Sequence, residues 1–203
     1  MVGKFIVFEG IDGCGKGTQL KKLAAYLFDK EKRNIVLLTR EPTGISPAGQ
    51  ELRRCLANDK NPKENANIYT RLFIEDRNYH IKNIITPALE AGITVLCDRY
   101  KYSTIIYQTA QGGKEDTLLE LHKGMPIPDV VFVIDIPAKT ALERMKRKTD
   151  VFEKEEFLSE LKGGYKNLPK LFPNEDIITI DGTETPEKVH QAVIHEIEKK
   201  VKN

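Results

Sequence analysis

The sequence has few cysteines and no long apolar run, and each of these features argues against certain classes of protein. Its three cysteines, Cys14, Cys55 and Cys97, show no C-x-x-C spacing, which argues against a disulfide framework or a zinc site. No apolar stretch reaches the roughly 18–20 residues that a membrane helix needs, and no signal peptide precedes the first strand-like run. We therefore expect a cytoplasmic protein that contacts no membrane.

An excess of one charge is also missing. The 203 residues include 32 basic and 30 acidic side chains, a formal net charge of +2, without a block of like charge. Bulk electrostatics therefore gives no indication of nucleic-acid binding, and any basic requirement must be local. Internal repeats, low-complexity segments and dividing linkers are absent as well, so we expect a single domain over residues 1–203.

Five short apolar runs lack polar alternation, which is typical of strands buried on both faces of a parallel sheet. These predicted strands cover residues 5–8, 35–38, 93–97, 130–134 and 177–180. Helical periodicity is found between them, at residues 18–30, 52–56, 68–90 (with a break near Pro87), 103–111, 115–123, 138–148, 154–168 and 186–202. The alternation predicts an α/β fold with a five-stranded parallel sheet flanked by helices.

A glycine-rich segment at residues 10–18 lies between the first predicted strand and the first predicted helix. It follows the Walker A pattern in the context that this pattern requires. Glycines let backbone N–H groups turn towards phosphate oxygens, the helix end adds further N–H groups, and the lysine supplies a mobile positive charge. We therefore predict that the phosphates of a nucleotide contact Gly10, Ile11, Asp12, Gly13, Cys14, Gly15, Lys16, Gly17 and Thr18.

Two positions in this loop need comment. Gly17 stands where Ser or Thr usually follows the lysine, so the hydroxyl comes one residue later, at Thr18. Thr18 remains a candidate Mg²⁺ ligand, but the metal would depend more on water and on a carboxylate such as Asp98, after the third strand. The Asp12 carboxylate would repel phosphate unless it meets a substrate hydroxyl or hydrated Mg²⁺; the alternative is a turn residue that bonds its own backbone.

Other segments place ligand-binding side chains after strands or on one helix face. Arg40 follows the second strand, where ligands of open α/β sheets bind, unless it belongs to an exposed turn. Phe73 and Arg77 share a helix face and suit a base and a phosphate. The alternative is a core phenylalanine and a surface ion pair between Asp76 and Arg77.

The third strand and a later basic stretch add two more candidates. Arg99 directly follows Asp98, where two phosphates would meet, and Gln108 offers an amide that can read a pyrimidine edge. Residues 144–149, Arg-Met-Lys-Arg-Lys-Thr, form a basic segment of lid size. Closed over a nucleotide, this segment would neutralise charge that moves during transfer; otherwise it is a solvated helix face.

Taken together, these segments resemble the thymidylate kinase family of P-loop nucleoside-monophosphate kinases. The shared marks are the acidic third residue of the loop, Arg-Glu-Pro at 40–42, Leu-Phe-x-x-x-Arg at 72–77, Asp-Arg-Tyr-x-x-Ser at 98–103, Tyr-Gln at 107–108 and the basic segment. The resemblance implies an acceptor-binding region at about 40–80 and a lid at about 144–153. It also implies that a homodimer transfers the γ-phosphoryl group of ATP to dTMP with Mg²⁺, giving dTDP for dTTP synthesis.

The resemblance also implies roles for single residues. The implied catalytic residues are Lys16, Arg99, Asp12 and Arg147. Phe73 would stack on thymine, and Arg40 and Arg99 would hold the dTMP phosphate. The implied dTMP contacts are Asp12, Arg40, Pro42, Leu52, Phe73, Arg77, Arg99, Ser103, Tyr107 and Gln108. Arg144 would stack on adenine beside the 181–183 loop, and Gly13 matches the subtype whose catalytic arginine lies in the lid, where Lys146 and Lys148 are alternatives to Arg147.

Two other functions remain open at this point. A kinase for AMP, UMP or CMP is favoured by the Gly-Lys-Gly-Thr sequence, which adenylate kinases also use, but the residues 73, 77, 103, 107 and 108 weigh against it. A P-loop switch would need an Asp-x-x-Gly segment beyond the glycine-rich loop and an Asn-Lys-x-Asp segment, and the sequence contains neither.

Overall fold

The computed structural model describes residues 3–59, 64–145 and 155–201. Its five strands form one parallel sheet in the order β2-β3-β1-β4-β5. The strands are β1 (Phe5–Glu9), β2 (Val36–Arg40), β3 (Thr94–Asp98), β4 (Val130–Asp135) and β5 (Ile177–Asp181). The predicted α/β fold with a five-stranded parallel sheet is therefore confirmed.

Helices flank this sheet. They are α1 (Lys16–Lys30), α2 (Pro47–Asn58), α3 (Ala66–His80), α4 (Thr86–Glu90), α5 (Lys101–Ala110), α6 (Glu115–Leu121), α7 (Ala138–Arg144), α8 (Glu155–Leu171) and α9 (Pro186–Val201). Within the three described ranges, no helix combines the length and the apolar character needed to cross a bilayer.

The two central strands are the most deeply buried part of the molecule. All five residues of β1 and the first five of β4 are buried, because each strand is covered on both faces. Such burial is why these strands read as continuous apolar runs in the sequence. Glu9 is the exception in β1, since its carboxyl group is fully buried at the end of the strand.

The predicted break near Pro87 is present as a widened helical turn. A π-helical segment, Ile81–Ile85, joins α3 to α4, and Pro87 lies in the first turn of α4. Proline has no N–H to donate, and its ring crowds the carbonyl four residues earlier, so the chain widens in the preceding turn.

Helix α2 begins five residues earlier than the predicted 52–56 segment. The side chain of Ser46 caps the helix by accepting from the Gly49 N–H at 2.8 Å, and Pro47 occupies the first turn. A serine followed by proline is a strong start signal for a helix, and this signal was present in the sequence.

Asp76 fixes the loop that leads into α2. Its carboxylate is 1% exposed and accepts from the Thr43 N–H at 2.6 Å and from the hydroxyl groups of Thr43 and Ser46. Arg77 is equally buried but has other partners. The alternative of a surface ion pair between Asp76 and Arg77 is therefore wrong.

This packing predicts that Gly49→Ala destabilises the protein. An added Cβ would lie 2.5 Å from the Thr43 carbonyl oxygen and closer still to the Asp76 carboxylate. Overpacking of this kind lowers the free energy of unfolding by about 1–3 kcal/mol. The matched control is Gly163→Ala in α8, where a Cβ meets no atom within 4 Å and should stabilise by roughly 0.5–1 kcal/mol. Urea unfolding followed by circular dichroism measures both, and equal effects would contradict this account.

Candidate active site

The carboxyl ends of β1, β2 and β3 open into a cleft of about 680 Å³. Ligands of open α/β sheets bind at this edge. The cleft is lined by Asp12, Gly13, Gly15, Lys16, Gly17, Thr18, Lys21, Arg40, Glu41, Pro42, Arg53, Leu56, Phe73, Arg77, Asp98, Arg99, Tyr100, Ser103, Thr104, Tyr107 and Gln108.

The glycine-rich loop occupies one end of the cleft. The Nζ of Lys16 donates to the carbonyl oxygens of Gly10 and Ile11, at 3.0 Å each. Within the described residues, no side chain caps the amino end of α1, where Gly15 has a left-handed backbone with φ of 103°. The end of α1 therefore keeps its capacity to bind an anion.

Gly13 brings the loop close to α7. Its φ is 78°, and a Cβ at this position would lie 2.6 Å from the Ala141 carbonyl oxygen. Only glycine fits both restraints. The side chains of Ile11 and Cys14 are instead buried in the core, so any contact of these two residues with phosphate would come from the backbone.

Asp98 lies next to the position where the usual metal-binding hydroxyl is missing. A Cβ on Gly17 would lie 3.8 Å from Asp98 Oδ2, and Asp98 Oδ1 is buried without a hydrogen-bond partner among the described residues. A buried carboxylate oxygen without a donor suits a hydrated hard cation. Thr18 lines the same cleft and is exposed.

Mg²⁺ would need ligands besides Asp98. In the described part of the chain, no group of three or more His, Cys, Asp or Glu residues could hold a metal ion. Mg²⁺ commonly uses one or two carboxylates, several waters and the phosphates of its substrate, and the Asp98 environment fits this mode of binding.

Arg99 lies at the centre of the cleft in a hydrogen-bonded group. Its Nη2 donates to Asp12 Oδ1 at 2.6 Å and to the Tyr107 hydroxyl at 3.2 Å, and Tyr107 in turn donates to Asp12 Oδ2 at 3.1 Å. Burial alone would raise the pKa of Asp12, but the charges of Arg99 and Lys16 outweigh it and lower this pKa to about 2. Asp12 is therefore a carboxylate at neutral pH, rather than only a turn-forming residue.

Phe73 and Arg77 form another part of the cleft wall. The Phe73 ring is half-buried and lines the cleft. Arg77 is 1% exposed and donates from Nε to Glu41 at 2.7 Å and from Nη2 to Thr104 at 2.9 Å. Its Nη1 lies 2.8 Å from His122 Nε2. Arg77 is thus a rigid part of the wall whose direction is fixed by its partners.

His122 supports Arg77 as a neutral side chain. Its Nδ1 lies 2.6 Å from the Leu118 carbonyl oxygen. This contact requires a proton on Nδ1 and leaves Nε2 to accept from Arg77. Burial, and then the positive charge of Arg77, lower the pKa of His122 to about 4.

The remaining predicted site residues are distributed as follows. Arg40 is exposed at the cleft and has no ion pair within the described chain. Gln108 is buried at the cleft, with Oε1 accepting from Thr70 at 3.1 Å. Arg144 donates to the carbonyl oxygens of Gly182, at 3.0 Å, and Thr183, at 3.4 Å. Pro42 and Ser103 also line the cleft.

Of the predicted dTMP contacts, one lies away from the cleft surface, and one predicted catalytic residue is outside the described residues. Leu52 is fully buried in the small core of Tyr69 and Leu72 and does not line the cleft, because its helix faces α3 at this point. Arg147, together with most of the predicted lid at 144–153, lies outside the described residues.

The sequence assigned no role to four charged residues at or beside the cleft, namely Glu9, Lys21, Glu41 and Arg53. Glu9 was excluded because the predicted first strand ended at Phe8. Arg53 lines the cleft and donates to the carbonyl oxygens of Pro42 and Thr43. The Ser46-Pro47 helix start would have placed Arg53 on a helix directly after the Arg-Glu-Pro loop.

Comparisons with known proteins agree on one family. The sequence model of the thymidylate kinase family matches residues 8–193. A probable thymidylate kinase from Methanococcus maripaludis is 39% identical over 207 residues, covering 98% of each chain. One from Pyrococcus horikoshii is 36% identical over 200 residues, covering 96% of this chain and 95% of the relative. The crystal structure of thymidylate kinase from Ehrlichia chaffeensis has a TM-score of 0.79 at 30% identity and covers 97% of this chain and 100% of that one.

The lowered pKa of His122 predicts a pH dependence of stability. An unfolded histidine, with a pKa near 6.5, takes up a proton before the folded one, whose pKa is about 4. The free energy of unfolding should therefore be highest above about pH 6.5 and fall as the pH drops to about 4, by up to ~3 kcal/mol.

His122→Gln isolates this effect, because glutamine keeps an acceptor for Arg77 and takes up no proton. Urea unfolding of both proteins across this pH range gives a difference curve in which contributions of other groups cancel. A difference that does not change with pH would contradict the assignment to His122.

Proposed function

The chain belongs to the thymidylate kinase family and transfers a phosphoryl group from ATP to dTMP, and from this premise we propose how its cleft divides the two substrates. The observation that carries the proposal is the position of the Arg99 guanidinium. This guanidinium lies between the glycine-rich loop, where it donates to Asp12, and the wall formed by α3 and α5 (the base-side wall), where it donates to Tyr107. A cation at this junction is suited to the place where donor and acceptor phosphates meet.

ATP is assigned to the loop side of the cleft. The amino end of α1, the loop amides and Lys16 hold its phosphates, as the Walker A pattern implies. Arg144 stacks on adenine, a role supported by its hydrogen bonds to the carbonyl oxygens of Gly182 and Thr183. These bonds hold the guanidinium beside the loop that would border the base.

The acceptor dTMP is assigned to the wall formed by α3 and α5. Phe73 stacks on thymine, and Arg77 and Gln108 donate hydrogen bonds to its edge. Tyr107 and Asp12, which are hydrogen-bonded to each other, meet the deoxyribose. Tyr107 thereby disfavours a 2′-hydroxyl, while the Asp12 carboxylate accepts from the 3′-hydroxyl.

Arg40 and Arg99 hold the acceptor phosphate. Arg40 is suited to this role because it is exposed at the cleft and free of an ion pair in the described part of the chain. The same cleft wall includes Arg53, which provides further positive charge near the Arg-Glu-Pro loop. Positive charge on this side favours a dianionic acceptor.

The reaction proceeds without a covalent enzyme intermediate. An oxygen of the dTMP phosphate attacks the γ-phosphorus in line, the bond from this phosphorus to the β–γ bridging oxygen breaks, and ADP leaves. Charge spreads over the equatorial oxygens in the transition state, so the protein mainly positions the two substrates and neutralises this charge. Lys16 and Arg99 are assigned to this task, together with Arg147, which lies outside the described residues.

Mg²⁺ is the proposed cofactor, and Asp98 is its proposed protein anchor through water. Bound there, the metal would neutralise negative charge on the phosphates of ATP. Asp98 contributes a buried oxygen that has no hydrogen-bond donor among the described residues, and Thr18 is the second, weaker candidate.

We further propose that the protein acts as one kinase domain in a cytoplasmic homodimer. Exposed apolar side chains on α3, namely Ile68 (48%) and Tyr79 (40%), support a contact through helices beside the sheet.

An acceptor panel tests the proposed division of the cleft. ADP release should be fastest with dTMP and slower with dUMP, which lacks the thymine methyl group. Rates with UMP, CMP and AMP should be lower by about 100-fold or more, because a wrong base leaves buried donors unpaired. A coupled ADP-release assay at equal acceptor concentrations measures the series. Comparable rates with CMP or AMP would overturn the assignment of Arg77 and Gln108.

A magnesium titration tests the role of Asp98. Asp98→Asn removes the charge but keeps the shape, and it should raise the Mg²⁺ concentration for half-maximal rate about tenfold. The matched control is Asp135→Asn at the end of β4, whose carboxylate pairs with Lys162 at 2.7 Å and does not line the cleft. An unchanged Mg²⁺ requirement in Asp98→Asn would refute the assignment.

A further inference from the structure

Glu9 is a buried carboxyl group at the carboxyl end of the central strand of the sheet. It is the last residue of β1, it is 0% exposed, and all the other residues of this strand are apolar. Burial raises its pKa, and the charge of Arg99 acts in the opposite direction. A charged group in such a place is unfavourable unless it is fully hydrogen-bonded, which makes its partners informative.

Each of the two carboxylate oxygens of Glu9 accepts two hydrogen bonds. Oε1 accepts from the Tyr100 N–H at 2.8 Å and from the Ser103 N–H at 3.3 Å. Oε2 accepts from the Ser103 hydroxyl at 2.6 Å and from the Tyr165 hydroxyl at 3.2 Å. Glu9 thus caps the amino end of α5, where Tyr100 provides no side-chain cap.

The two hydroxyl groups that contact Glu9 also contact Arg99. Nη1 of Arg99 donates to the Ser103 hydroxyl at 2.8 Å and to the Tyr165 hydroxyl at 3.0 Å. A hydroxyl has one proton to donate. The two hydroxyls are also 2.9 Å apart, but a carboxylate is the stronger acceptor. Both protons therefore point to Glu9, and both oxygens are left to accept from Arg99.

The backbone of Arg99 is restrained at the same place. Its φ of 72° makes it the one non-glycine residue with a left-handed backbone in the described chain, a conformation that needs support from its surroundings. The Arg99 N–H donates to the Phe8 carbonyl oxygen at 2.9 Å. The following N–H, of Tyr100, donates to Glu9. The end of β1 therefore holds both peptide groups around Arg99.

We propose that Glu9 is a positioning residue, which orients the Arg99 guanidinium towards the reacting phosphates through the hydroxyl groups of Ser103 and Tyr165. Glu9 touches no substrate in this scheme and acts only through these two side chains and the α5 amino end. The proposal rests on the role given above to Arg99.

Glu9→Gln is the main test. A glutamine side chain has one acceptor oxygen and an NH₂ donor, so it cannot accept from both hydroxyl groups and the backbone at once. Misdirection of Arg99 should lower kcat by about 10- to 100-fold. The KM for ATP should change by less than about threefold, because the loop amides and Lys16 keep their positions. A merely structural role beside the loop would instead raise this KM and leave kcat nearly unchanged, and that result would overturn the proposal.

Glu175→Gln is the matched control. Glu175 is a partly buried carboxylate that contacts the first turn of α5, through Lys101 at 2.6 Å and the Tyr102 hydroxyl, and none of its contacts within the described residues leads to Arg99. This variant should lose stability in urea unfolding and keep its kcat. A similar loss of kcat in both variants would contradict a specific path from Glu9.

Tyr165→Phe tests the same path from its other end and needs no change in the sheet. It should lower kcat on its own, and the double variant with Glu9→Gln should lose less than the product of the two single losses, because both act on Arg99. If Glu9→Gln does not fold, an unaffected kcat in Tyr165→Phe overturns the proposal. Arg99→Ala, measured in parallel, separates the two claims. A normal kcat in that variant would refute the role of Arg99, whereas a low kcat there with a normal kcat in Glu9→Gln would refute only the role of Glu9.

Discussion

Parallel pairing of the strands is the constraint on which the site depends. It brings the carboxyl ends of the strands to one edge, where Asp98 of β3 is in register with Phe8 of β1 on one side and Arg40 of β2 on the other. The glycine-rich loop leaves from the same edge after Glu9. Residues far apart in sequence therefore share one cleft, and the central strand behind it, β1, is buried along its whole length.

This edge contains buried charges, and their pairing explains why the base-side wall is rigid. The carboxylate of Glu41, 5% exposed, contacts both Arg77 and His80, and His122 supports Arg77 from the other side. Removing one member of such a group typically lowers stability by about 3–5 kcal/mol, since the others stay buried without a partner. That penalty is large compared with the energy needed to rotate an unpaired side chain, so the Arg77 guanidinium is held in one orientation. A base that binds at this wall must fit that orientation.

The sequence predicted the strands well but ended each of them too early. The predictions stopped at the first polar residue, and the five strands each continue by one or two residues, through Glu9, Arg40, Asp98, Asp135 and Asp181. An apolar run indicates that a strand is buried, but it does not show where the strand ends. The residues of the strands that reach the site are polar residues at their carboxyl ends, such as Glu9. The residues that contact Arg77 could not be predicted from the sequence for another reason. Its partners Glu41 and His122 are 36 and 45 residues away in sequence, and no local pattern connects them.

The ion pair between Asp12 and Arg99 has a different character from the buried pairs. Its side chains are 40% (Asp12) and 16% (Arg99) exposed, so water screens this attraction more than it screens that of the buried pairs. A phosphate of two negative charges attracts Arg99 more strongly than one carboxylate does. We therefore expect the acceptor to take over the Asp12 side of Arg99, while the Ser103 and Tyr165 contacts on the buried side persist. In this arrangement, Asp12 keeps the guanidinium facing the cleft before dTMP binds and is then free to accept from the sugar hydroxyl. The exposed half of the network is exchanged with substrate, and the buried half, ending at Glu9, keeps the direction of the charge.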